Sequence, residues 1–113
     1  MKLHNLKIKA EFATPKLRGD KPFEIRKNDR NFKVNDLIKY TCIDSPIVND
    51  DIEKKLYYIA YITNYEQKDG YVVFCDKEVE EWANIRYWQL FWQEKQKYES
   101  ETYLDILSLI RHL

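Results

Sequence analysis

The segment Gly19–Asp36, GDKPFEIRKNDRNFKVND, decides how this chain is read. One glycine and one proline open it, and charged residues fill most of the rest. Within KPFEIRK the side chains alternate, as they do on a β-strand. Phe23 and Ile25 fall on one face, Glu24 and Arg26 on the other. The apolar pair is the expected core face, which puts Glu24 and Arg26 on an open face. NDRNFKVND then reads as a turn, because Asn and Asp bond their own backbone and tolerate unusual angles. These fixed charges belong either to a binding site or to a solvated edge.

Strand patterns flank the segment on both sides. Upstream, KLHNLKIKA alternates and predicts a strand over residues 2–9. Between the two, EFATPKLRG predicts a short helical turn, with Thr14 as cap, Pro15 in the first position and Gly19 as a left-handed stop. Downstream, residues 37–43 form a strand ended by Asp44-Ser45-Pro46, and SPIVNDDIEKK is a polar excursion. LYYIAYITNYEQ is the strongest strand, and YVVFCDK returns from it through a primed turn at Asp69-Gly70. After Asp76 the apolar period lengthens to three and four residues. Val79, Trp82, Ile85, Gln89 and Trp92, then Leu104, Leu107 and Ile110, suit amphipathic helices. The fold class expected is α+β: a small mixed β-barrel over residues 1–77, with a short helix after its first strand and an added helical segment over 78–113.

The chain has 113 residues, 44% hydrophobic and 34% charged, so one modest core is expected. No apolar run reaches the length of a membrane span, and MKLHNLKIKAEF has no signal-peptide core, so a cytoplasmic protein is expected. Cys42 and Cys75 lie in apolar strand patterns and read as small buried hydrophobes. His4 and His112 stand at opposite ends, with no ligand spacing nearby, so neither a metal nor another cofactor is expected. A net charge of zero hides an asymmetry. Residues 16–33 carry seven bases against three acids, and residues 76–105 eight acids against four bases.

The motif GDKPFEIR followed by KNDRNFKVND, with HNLKI before it and GYVVF after it, resembles the DUF3850 group of the ASCH superfamily. That group's pattern is G-x-K-x-x-E-x-R, then K-N-D-R-x-F-x-V-G-D. Gly19, Lys21, Glu24 and Arg26 match the first part; Lys27, Asn28, Asp29, Arg30, Phe32, Val34 and Asp36 match the second. Asn35 departs from the family's glycine, but Asn also tolerates a left-handed turn. The resemblance covers residues 3–76 and leaves out the C-terminal segment. It implies a PUA-like barrel of five or six strands, a bacterial and often phage source, and a cleft for RNA or nucleotides beside the G-x-K-x-x-E-x-R strand. A related ASCH enzyme removes the acetyl group of N4-acetylcytidine with a lysine, a threonine three residues later and a distant glutamate. Lys21 matches that lysine, but Glu24 occupies the threonine's place, so the nucleophile is missing.

The expected function is a non-catalytic RNA- or nucleotide-binding module. Its ligand contacts would be Lys21, Glu24, Arg26, Asn28, Asp29, Arg30 and His4, with Arg26 forking onto phosphate. The competing reading of the same residues is a structural Glu24–Arg26 ion pair, solvated turn cations and a core histidine. Lys16, Arg18 and Lys33 are further phosphate candidates. Tyr57, Tyr58, Tyr61, Tyr65 and Tyr71 offer either stacking platforms or sheet packing. A second hypothesis is a phage protein that modulates a host protein, or self-associates, through Trp82, Tyr87, Trp88, Phe91 and Trp92. A third is a hydrolase of modified nucleosides, with Lys21 and Glu24 in its site.

Overall fold

A computed structural model describes residues 1–80, Gln89 and Phe91–Gln93. Five strands and two short helices follow in the order β1 Leu3–Ile8, α1 Ala10–Leu17, β2 Glu24–Lys27, β3 Leu37–Cys42, α2 Pro46–Ile52, β4 Tyr57–Thr63 and β5 Tyr71–Glu78. The sheet runs β1-β3-β4-β5-β2. β1 lies parallel to β3, and the other neighbours are antiparallel. The result is a mixed α+β half-barrel. β1 and β2 are its two ends, and no backbone ladder joins them among the described residues. Side chains reach across instead: Arg26 Nη2 donates to the Lys7 carbonyl at 3.0 Å and Arg30 Nη1 to the Asn5 carbonyl at 3.2 Å. The sheet therefore curls until its edges face each other over an arginine-bridged seam.

The interior follows the two-residue period of the strands. Leu6 and Ile8 of β1, Ile38 and Tyr40 of β3, Tyr57 and Ile59 of β4, and Val72 and Phe74 of β5 are buried together. Phe32 from the turn before β3 meets Phe74 with ring centroids 5.1 Å apart. A register shift between Ile59 and Tyr61 marks a bulge where β4 bends against β5.

Two helix expectations are corrected. α1 begins at Ala10, not at Thr14, and Pro15 lies inside it. The start is held from a distance: the Ala10 N–H donates to Asp44 Oδ1 at 2.8 Å, which also keeps that carboxyl below its usual range. Its end matches expectation. Gly19 has φ +83°, its N–H bonds the Lys16 carbonyl at 3.0 Å, and the Asp20 N–H bonds the Pro15 carbonyl at 2.9 Å, the paired bonds of a Schellman stop. The polar excursion is in fact α2. Ser45 Oγ accepts the Val48 N–H at 3.3 Å and Pro46 occupies the first turn, so a capping signal was present in the sequence.

The β4–β5 turn also differs. Gly70 has φ +81° but Asp69 is not among the positive-φ residues, and the Tyr71 N–H bonds the Lys68 carbonyl at 2.9 Å. One left-handed residue at the third position makes a type II turn rather than a primed one. Asn35 takes φ +73°, so it adopts the left-handed geometry expected of it.

The chain divides into two compact units, Met1–Val79 and Glu80–Leu113. Most of the expected helical segment, including Trp82, Tyr87 and Trp88, lies outside the described residues. Phe91 and Trp92 are described, with rings edge-on and centroids 4.6 Å apart. Among the described residues, no helix is long and apolar enough to cross a membrane, and no group of three or more His, Cys, Asp or Glu could hold a metal.

Candidate functional site

β2 is the wall of the site, and its orientation reverses the sequence reading. Glu24 lies opposite Phe74 and Arg26 opposite Val72, so all four share the interior face. Glu24 is 3% exposed, whereas Phe23 is 38% and Ile25 57% exposed on the outside. The apolar pair is the outer face and the charged pair the inner one. A strand's parity is set by its pairing register, and a shift of one residue turns every side chain over. Charge can occupy the inner face here because partners for Glu24 converge on it.

Lys16 of α1 is the first partner. It shares the buried face of that helix with Ala13, three residues earlier, and its ammonium lies 3.3 Å from Glu24 Oε2. The same ammonium bonds both oxygens of Asp76 in β5, at 2.7 and 2.8 Å. Asp76 also accepts the Tyr40 hydroxyl at 2.5 Å. Lys21 pairs with Glu24 Oε2 and donates to the Phe23 carbonyl at 3.0 Å, while Arg26 donates to Glu24 Oε1 through Nε at 3.2 Å and Nη2 at 2.9 Å. Three cations thus surround two carboxylates.

Burial by itself would raise the Glu24 pKa. The charge of Lys16, then Lys21 and Arg26, outweighs it and holds the carboxyl below its usual range. Glu24 is therefore a fixed anion at neutral pH, suited to positioning cations rather than donating a proton. Tyr40 is pushed the other way. Burial first, then the charges of Asp76 and Glu24, carry its phenol well above the ordinary range, so it remains a protonated donor. Tyr57 also shifts upward, through burial first and then the charges of Glu78, Asp76 and Glu24.

Lys21, Glu24 and Arg26 are brought together as expected. The members the sequence reading did not assemble are Lys16, Asp76 and Tyr40. Asp76 carried a signal, since it continues the inward parity of Val72 and Phe74. His4 is held elsewhere. Its Nε2 lies 2.8 Å from Asp36 Oδ2 and its ring meets Phe32 at 4.7 Å; it is a buried, bonded core histidine. Asp36 also accepts the Lys2 N–H at 3.1 Å and the Lys33 N–H at 3.0 Å, tying β1 to the turn before β3.

That turn carries the remaining candidates. Asn28 braces the turn: its N–H bonds the Gly70 carbonyl at 2.8 Å, and its Oδ1 accepts the Phe32 N–H at 3.0 Å, while its side-chain amino group has no partner among the described residues. Asp29 is exposed. Arg30 is exposed too, and it reaches the seam with no carboxylate within ion-pair distance among the described residues. Lys7 of β1, with Lys27 and Lys33, is likewise exposed and without an ion pair there, whereas Lys9, at the start of α1, is exposed and helps to hold the Asp44 carboxyl low. Of the three acids of the basic stretch, Glu24 is buried in its cluster and Asp20 pairs with Arg18 at 3.3 Å, which leaves Asp29 as the exposed acid of the turn. The seam is left with a net positive face.

No curated protein matches the chain. A family model described as a domain of unknown function, DUF3850, matches residues 3–75. That span runs from the start of β1 through the Glu24 wall and into β5, well over half of the 113 residues, and the chain belongs to the DUF3850 family.

Proposed function

We propose that this chain is a non-catalytic RNA- or nucleotide-binding module of ASCH type and phage or prophage origin. In this reading residues 1–77 form a PUA-like barrel and residues 78–113 a helical extension. The observation that carries it is the unneutralised seam. Lys7, Lys27, Arg30 and Lys33 are exposed around the two edge strands, none of them has an ion pair among the described residues, and Asp29 is the one exposed acid on the turn between Lys27 and Lys33. Such a strip attracts a polyanion, and each phosphate engaged releases counterions. Lys21 and Arg26, only partly buried on the rim of the Glu24 cluster, add donors beside it. Glu24 then orients the two cations and does not itself hold the ligand.

Fluorescence anisotropy with a labelled eight-nucleotide single-stranded RNA tests this. Affinity should fall steeply between 50 and 200 mM salt, and Lys27→Ala with Arg30→Ala should flatten that dependence by about one to two phosphates. Absence of binding to RNA and to nucleotides at low salt overturns the reading.

Contact with a protein partner is a second reading, favoured by the apolar side chains turned outward. Phe23, Ile25 and Tyr61 are exposed on the outer side of β2 and β4. A sedimentation measurement comparing the native chain with Ile25→Lys checks whether that face mediates self-association. The amidohydrolase reading lacks a nucleophile, since Glu24 takes the place of the threonine and the neighbouring Tyr40 is a protonated donor. Release of cytidine from N4-acetylcytidine would revive it.

A further inference from the structure

A cleft of about 290 Å³ opens at the hairpin end of β4 and β5, lined in part by Asn28, Asn64, Gln67, Asp69 and Tyr71. Its polar groups are largely uncommitted. The Asn64 amide and the Asp69 carboxylate have no side-chain partner among the described residues. Gln67 uses Nε2 on the Tyr65 carbonyl, at 3.3 Å, and keeps Oε1 free. Asn28 uses Oδ1 on the Phe32 N–H and keeps its amino group. Tyr71 adds a half-buried ring, with the Lys68 ammonium 5.6 Å from its centroid. Flat amides, a carboxylate and an aromatic ring are the groups that read the edge and face of an unstacked base.

The cleft also adjoins the basic seam. Lys27 is the cross-strand partner of Tyr71, and Asn28 opens the turn that carries Arg30. A chain whose phosphates follow Lys27 and Arg30 passes the mouth of the cleft. At about 290 Å³ it lies just below the roughly 300–1,000 Å³ typical of ligand pockets, a size suited to one base rather than a larger ligand.

Resting on the nucleic-acid reading above, we propose that this cleft takes one unpaired base of a single-stranded RNA, and that Asp69 makes that base guanine. A carboxylate repels phosphate but accepts two parallel hydrogen bonds from the N1–H and N2–H donors of guanine. Adenine presents no such pair. Asn64 and Gln67 complete the contacts to the base.

Anisotropy with eight-nucleotide uridine strands carrying one central guanine or adenine tests the assignment. The guanine strand should bind about 5- to 10-fold tighter, and Asp69→Asn should abolish the preference. Asn64→Ala with Gln67→Ala should weaken binding by about 5- to 10-fold without changing the salt dependence. Thermal melting of each variant verifies that the fold is kept. If the strands bind in a salt-dependent way but these variants leave affinity and preference unchanged, the cleft assignment is overturned and the seam reading stands. If neither strand nor any nucleotide binds, both fall.

Discussion

The two halves of the Gly19–Asp36 stretch carry similar residues in opposite surroundings. In the first half, Lys21, Glu24 and Arg26 gather with Lys16 and Asp76 at the inner face of the sheet. In the second, Lys27, Arg30 and Lys33 are exposed, and among the described residues the Arg30 side chain is tied only to a β1 carbonyl. The inner charges cost desolvation and are held by mutual pairing, so removing one leaves the others stranded. The outer charges cost little to display and contribute little to stability, so they are available to a ligand.

Mutations that separate these two roles would sharpen or break the comparison. Asp76→Ala should have the largest effect. It leaves the buried Lys16 ammonium without its closest partner and frees the Tyr40 hydroxyl, for a loss of about 3–5 kcal/mol in urea unfolding. A loss below about 1 kcal/mol would mean the inner cluster is as dispensable as the outer one.

Glu24→Gln keeps the shape and one acceptor, so a smaller loss of about 2 kcal/mol is expected. It should also change the acid response. The Glu24 carboxyl is held low in the folded state, so its stabilising contribution is complete above the unfolded-state value of about 4.3 and is lost as pH falls below it. The native protein should therefore weaken progressively below about pH 4.5, and Glu24→Gln should weaken less steeply over the same window in pH-dependent unfolding. An identical acid limb would remove Glu24 as its source.

Asp36→Asn tests the other buried carboxylate, which is satisfied by two backbone N–H groups and His4 instead of by lysine and arginine. A loss of about 1–3 kcal/mol is expected from thermal melts. The smallest stability effect belongs to Arg30→Ala, under about 1 kcal/mol, while the salt dependence of RNA binding should fall by about one phosphate contact. A large stability loss there would show that the seam arginine is structural.

Much of this was readable in the residues themselves. The five strands follow from alternation and β-branched or aromatic runs. The Gly19 stop and the Asn35 turn follow from residues that tolerate positive φ, and the grouping of Lys21, Glu24 and Arg26 follows from one motif on one strand. These are local properties, set by side-chain period and backbone sterics within a few residues. Ser45-Pro46 also marked a helix start locally, although the polar run after it reads as loop.

Which face of β2 is inside could not be settled locally. Phe23 and Ile25 are more apolar than Glu24 and Arg26, and burial energy taken alone turns them inward. The register Glu24 opposite Phe74 turns them outward, and it is stable because Lys16, 8 positions before Glu24, and Asp76, 52 positions after it, deliver compensating charge to the same point. The tertiary structure alone decided that the charged face is the interior one, because the free energy of a buried ion depends on partners that only folding brings within hydrogen-bond reach.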